Sequence, residues 1–147
     1  MSTFTQLIYH IVFATKNRTR SLDLKHKERL LSYICGVINQ HKSHVYQINM
    51  VEDHLHILCS IHCQGNVSDL VKHIKNATNS MIKTEHLCPM FEGWQKGYGA
   101  FTVNWKEKHR LVEYIKNQQE HHKLYDYLSE YRNMLKEFGV EFEDRYL

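Results

Sequence analysis

The chain is short of the residues that interrupt regular structure. Among its 147 residues there are one proline and six glycines. That is too few for a Pro/Gly-rich linker, and the length suits one domain of about 100–150 residues. No apolar run approaches the roughly 20 residues needed to cross a bilayer. The opening Met1-Ser2-Thr3-Phe4-Thr5-Gln6 lacks the basic-then-apolar order of a secretion signal. Cysteine is sparse: Cys35, Cys59, Cys63 and Cys88 are the only thiols, in a chain that is 42% hydrophobic. Such a chain builds a core without disulfide staples, so a reducing, cytoplasmic setting is expected. Cys59-x-x-x-Cys63 with His62 between is a loose match to zinc-ligand spacing, and no CxxC pair completes it. Net charge is also small, +3 with histidine neutral.

What is present is unevenly placed. Residues 1–50 hold seven Lys/Arg against two Asp/Glu, or +5, whereas 51–100 and 101–147 each come to −1. The excess gathers at Lys16, Arg18, Arg20, Lys25, Lys27 and Arg29, a local basic surface suited to a polyanion. Histidine is abundant, at twelve.

Hydrophobic periodicity gives the element order. Residues 4–15 read as a buried strand, with Leu7, Tyr9, Ile11 and Phe13 on one face and Ile8, His10 and Val12 on the other. A helix is predicted over 23–40, then strands over 45–50 and 55–61. Ser68 is the expected N-cap of a helix over 69–83 striped by Leu70, Ile74, Ala77 and Met81. A fourth strand follows over 98–103. Asn104-Trp105-Lys106-Glu107 has capping-box spacing and opens a helix running to about residue 122. A last helix repeats Leu124, Leu128, Tyr131, Leu135 and Phe138 and stops at Gly139. The order β-α-β-β-α-β predicts an α+β, ferredoxin-like (RRM-like) antiparallel sheet with additional C-terminal helices. Its first and third strands are central neighbours, and two helices cover one face. Residues 1–122 are expected to form the domain, and 123–147 a helical extension packed on it.

Two constellations carry chemistry. In Asp53-His54-Leu55-His56-Ile57-Leu58, strand alternation places His54 and His56 on one face and Leu55 and Ile57 on the other. Two neighbouring imidazoles form a chelating pair. Downstream, Tyr114 and Gln118 are four residues apart on the predicted helix, one turn along the same face. A tyrosine oxygen can serve as a covalent nucleophile, and a glutamine carbonyl as a neutral oxygen ligand. Either constellation alone has a plain alternative: hydrogen-bonded histidines among twelve, or one packing tyrosine among nine. His10, on the strand expected beside the histidine strand, is read first as a buried structural residue, with support of the pair as the second reading.

Together the two resemble the single-tyrosine HUH transposases, the small insertion-sequence enzymes that act on single-stranded DNA, with their repeat-associated domesticated relatives. The likeness extends to Tyr9-His10-Ile11-Val12-Phe13-Ala14-Thr15-Lys16-Asn17-Arg18, to Leu70-Val71-Lys72-His73-Ile74-Lys75, and to Trp94-Gln95-Lys96-Gly97-Tyr98, and so spans roughly residues 4–122. The resemblance implies one divalent cation, Mg²⁺ or Mn²⁺, held by His54, His56 and Gln118. It also implies attack by Tyr114 on phosphorus, giving a 5′-phosphotyrosine and a free 3′-OH. Imidazole ligands by themselves favour Mn²⁺ over the harder Mg²⁺. The implied partner is hairpin-bearing single-stranded DNA, with Lys16, Arg18 and Arg20, then Lys72 and Lys75, as first-choice phosphate contacts. A homodimer is implied too, in which one subunit's tyrosine helix can serve the other's site. Two rivals remain: a noncatalytic RRM-like module that stacks bases on strand aromatics, and a metal-dependent hydrolase that does not use Tyr114.

Overall fold

The computed structural model describes residues 2–147. Four strands form one antiparallel sheet: β1 (Ile8–Ala14), β2 (His44–Met50), β3 (His54–Ser60) and β4 (Gly99–Thr102), in the order β2-β3-β1-β4. The α+β sheet is the expected one, with β1 and β3 at its centre. The helices are α1 (Lys27–Gln40), α2 (Val67–Glu85), α3 (Lys108–Lys116), the single turn α4 (Gln118–His121), and α5 (Tyr127–Glu137). No helix among the described residues is long and apolar enough to cross a membrane.

Cross-strand register sorts the side chains. Ile11 pairs with Ile57 and Phe13 with Leu55, and Ile48 and Met50 of β2 continue the same two rows. These residues meet Leu30, Ile34, Leu70 and Ile74 of α1 and α2 in one buried apolar cluster. On the opposite face, His10 pairs with Leu58, Val12 with His56 and Ala14 with His54. Asn49 of β2 lies across from His56, and Phe101 of β4 across from His10. Two smaller clusters cover this face. Ile8 and Leu58 pack under Ile115 of α3, and Val12 and Phe101 pack under Met134 and Leu135 of α5. The seat of α5 is close: a Cβ at Gly99 would meet the Tyr131 ring at 2.7 Å and Val12 Cγ1 at 3.0 Å. Only glycine lets that ring lie on β4.

Several boundaries differ from expectation. β1 begins at Ile8, because Ile8–Ser60 is the last pair that β3 supplies; Phe4 lies beyond it and is 92% exposed. The cap of α2 is Asn66, whose Oδ1 accepts from Asp69 N at 2.8 Å, two residues earlier than Ser68. Asn104 caps as expected, but its helix opens as a 3₁₀ turn and is interrupted at Asn117. The last helix starts later, at Tyr127 under an Asp126 cap, so Leu124 is left 79% exposed. Its inward residues are Tyr127, Glu130, Met134 and Leu135. Gly139 ends it with φ +67°, the left-handed conformation that favours glycine. All four cysteines are free, with Cys59 buried and Cys63 exposed.

Candidate metal centre and tyrosine site

His54 and His56 are fully buried and project from β3 toward α3, α4 and α5. Each is oriented through its Nδ1. His54 Nδ1 lies 2.7 Å from Asp53 Oδ1, and His56 Nδ1 lies 2.8 Å from His10 Nε2. Such partners hold the rings in place and aim the other nitrogens inward. His56 Nε2 meets Glu130 Oε1 at 2.9 Å, and His54 Nε2 lies 3.4 Å from the same oxygen. His122 Nε2 comes within 3.4 Å of it as well. His54 Nε2 is nevertheless a buried nitrogen without a hydrogen-bond partner. Among the described residues, His54, His56, His122 and Glu130 form a group whose ligand atoms all lie within 4.8 Å of one another and could hold a metal ion.

Tyr114 and Gln118 reach the same carboxylate. The Tyr114 hydroxyl donates to Glu130 Oε2, and Gln118 Nε2 donates to that oxygen at 3.3 Å. Gln118 Oε1 is 3.0 Å from His122 Nε2. The break at Asn117 does not separate Tyr114 from Gln118 in space, since both side chains converge on Glu130. Tyr114 and the histidine pair meet within one chain, with 6.0 Å between the His56 and Tyr114 ring centroids. Asn49 anchors the tyrosine helix to the sheet: its Nδ2 donates to Ile115 O at 2.8 Å and Lys116 O at 3.2 Å. A cavity of about 770 Å³ opens beside Tyr114 and Glu130, with His10, Arg110 and His121 among its walls.

The electrostatics describe a buried carboxylate ringed by imidazoles. Burial pulls His54 down, but the neighbouring Asp53 and Glu130 carboxylates outweigh it and carry the group up to about 9. Burial pushes Glu130 up, yet His56, His122 and His54 together hold its carboxyl well below the usual carboxylate range. His56 is lowered, by burial first, against the pull of Glu130. Burial, with a contribution from His56, brings His10 down to about 3. It therefore stays neutral as the partner of His56 Nδ1. Tyr114 is raised by burial and by the Glu130 charge, with Gln118 opposing.

The basic residues are placed as follows. β1 ends at Ala14, opposite His54, so the loop carrying Lys16, Arg18 and Arg20 emerges at the histidine end of the sheet. Lys16 and Arg18 line a second cavity of about 550 Å³ with Trp94, Gln95 and Lys96. Arg18 donates to Leu147 O, and Arg20 pairs with Glu52 at 3.3 Å. On α2, Lys72 is exposed, whereas Lys75 Nζ is committed to the carbonyls of Gln95 and Gly97 at 2.9 and 2.7 Å.

Sequence reasoning missed Glu130, His122 and Asn49. Glu130 had a signal: with Tyr127 and Met134 it makes an i, i+3, i+7 series, an acid on the buried stripe of an amphipathic helix. His122 lies one turn beyond Gln118. Asn49, an amide on a mainly apolar strand, carried no comparable pattern.

A ferredoxin-like sheet with a buried histidine pair facing a helix-borne tyrosine defines the single-tyrosine HUH class. The family model described as IS200-like transposase matches residues 3–118, and the chain belongs to that family of DNA transposases. It is 27% identical over 126 residues to the transposase of insertion sequence IS200 from Salmonella typhimurium, covering 82% of each chain. It is 25% identical over 120 residues to the ISDra2 transposase TnpA of Deinococcus radiodurans, covering 78% of this chain and 86% of that one. Among solved structures, a Deinococcus radiodurans R1 chain assigned as a transposase matches with TM-score 0.62 and 26% identity, over 80% of this chain and 95% of that one. A REP-associated tyrosine transposase bound to a REP hairpin shares the fold, with TM-score 0.63 and 18% identity over 83% of this chain and 74% of the other.

Proposed function

We propose that this transposase cleaves and rejoins single-stranded DNA through a 5′-phosphotyrosine on Tyr114. The observation that carries the reading is the convergence of Tyr114, Gln118 and the His54/His56 pair on one buried pocket beside an open cavity. The chemistry of the donors fits a divalent cation: a buried nitrogen without a partner at His54, a second oriented imidazole at His56, and a buried amide at Gln118. His54, His56 and Gln118 would hold one such ion, Mg²⁺ or Mn²⁺. When bound, it polarises the scissile phosphate and stabilises charge on the leaving oxygen.

The residues divide the remaining tasks. Tyr114 Oη forms a bond to phosphorus as the P–O3′ bond breaks; the hydroxyl loses its proton, and a proton ends on the 3′ oxygen. The new phosphotyrosine keeps a phosphodiester, so a later 3′-OH can reverse the step on another strand. Asp53 and His10 hold the imidazoles, and Asn49 holds the helix that presents the nucleophile. Lys16, Arg18 and Arg20 give the DNA a basic approach at the His54 end of the sheet, with Lys72 and Lys75 as further contacts, and binding weakens as salt rises. The DNA partner is a hairpin-bearing single strand. The protein works as a cytoplasmic homodimer whose subunits each use their own tyrosine. Residues 1–122 are the catalytic domain, and 123–147 an extension on it.

The noncatalytic RRM-like reading needs an open sheet face with aromatics for stacking. That face here carries buried histidines and lies under α3 and α5. One experiment tests the reading. Tyr114→Phe should retain single-strand binding but lose cleavage and the covalent adduct; unchanged cleavage removes Tyr114 as nucleophile. Mixing it with His54→Asn should restore nothing, whereas recovered cleavage would show that the tyrosine acts across a dimer.

A further inference from the structure

Glu130 lies outside the segment matched by the family model, on a helix that sequence reasoning left without a role. It is also the point on which the whole site converges. One carboxylate oxygen, Oε1, faces His56 Nε2 at 2.9 Å and His54 and His122 at 3.4 Å. The other, Oε2, accepts from the Tyr114 hydroxyl and from Gln118 Nε2. The side chain is buried, on the inward stripe of α5. A buried carboxylate is costly unless it is paired or coordinates a metal, and here its partners are those expected of a cation's surroundings.

We infer that Glu130 is an anionic ligand of the divalent cation, joining His54 and His56, and that its second oxygen sets the position of Tyr114 relative to that ion. The inference rests on the metal reading above and deepens it. Two consequences follow from the geometry. The extension beyond the family segment is part of the active site, held there by Tyr131 on Gly99 and by Met134 and Leu135 on Val12 and Phe101. The site is also harder than a histidine pair alone. A carboxylate oxygen suits Mg²⁺ and Mn²⁺, where imidazoles by themselves favour softer ions. Gln118 and His122 flank Glu130, each within hydrogen-bonding distance of the other.

The test is Mn²⁺ binding by calorimetry on the full chain without DNA. Wild type should bind one ion, and His54→Asn should abolish binding. Glu130→Gln should weaken it more than about 100-fold, beyond the roughly 10- to 100-fold that loss of an outer-shell partner costs. Tyr114→Phe should leave it within a few-fold of wild type, because the tyrosine touches only the second oxygen. Glu130→Gln within twofold of wild type, while His54→Asn loses binding, overturns the inference and spares the metal reading. No binding by wild type overturns the metal reading itself. A crystal of the wild-type chain soaked in Mn²⁺ gives the answer without any variant. Glu130 in the ion's coordination shell supports the inference, and an ion held by the histidines with Glu130 turned away refutes it.

Discussion

Under α1 and α2 the sheet is lined by Ile11, Phe13, Leu55 and Ile57, all buried and apolar; the other face of the same strands carries His10, His54 and His56, equally buried. The first face gathers one continuous cluster. The second is divided between two small clusters, with a polar pocket between the helices that cover it. Alternate residues of β1 and β3 thus line an apolar core on one side and a polar pocket on the other. The apolar side needs only shape and volume. The polar side needs every nitrogen and oxygen to meet a partner, because a buried unsatisfied group costs about 1–3 kcal/mol. That difference explains why the histidine face draws on residues from β1, β2, β3, α3, α4 and α5, while the apolar face is closed by two helices.

The comparison breaks most forcefully at the apolar face. Ile57→Ala should cost about 2–5 kcal/mol of stability, measured by denaturant unfolding, with Mn²⁺ affinity of the folded protein unchanged. Affinity that falls in step with stability would show that the two faces are not separable. Asn49→Ala tests the reverse. It leaves the Ile115 and Lys116 carbonyls without their side-chain donor, at about 1–3 kcal/mol. Its larger consequence is a kcat for cleavage lower by about 10- to 100-fold, with KM for DNA little changed. An equal rise in KM would assign Asn49 to DNA binding instead of helix placement.

The last test concerns acid. The folded chain keeps His10 neutral down to about 3 from an ordinary 6.5, while the unfolded chain takes up that proton below 6.5. Stability of the metal-free protein should therefore decline as pH falls from about 6.5 toward 3. His10→Gln should flatten part of that decline, leaving the parts due to His56, which is lowered in the same sense, and, in the carboxylate range, to Glu130. An identical pH profile in the variant would mean that His10 is not held neutral by the fold.

Much of this was legible in local pattern. Period-two alternation put Leu55 and Ile57 on one face and His54 and His56 on the other, and the register shows just that division. Four-residue spacing joined Tyr114 to Gln118, and both meet Glu130. Gly139 marked the end of α5. Where local pattern misled, a competing local bond or a missing partner was responsible. Asn66 captured Asp69 N ahead of Ser68, β1 could not begin before β3 offered it a neighbour, and α5 turned Tyr127 and Glu130 inward while Leu124 stayed outside.

By itself, then, the sequence determined the element order, the two faces of the sheet, and which histidines share a face with one another and which tyrosine shares one with Gln118. These are properties of side-chain spacing along strands and helices, readable within a few residues. The tertiary structure decided that a carboxylate 74 residues from His56 sits 2.9 Å from it, that His10 orients that ring, and that Asn49 ties down the tyrosine helix. No local period encodes such meetings. They arise because packing α3 and α5 over one face of the sheet leaves a buried polar pocket whose groups must satisfy one another.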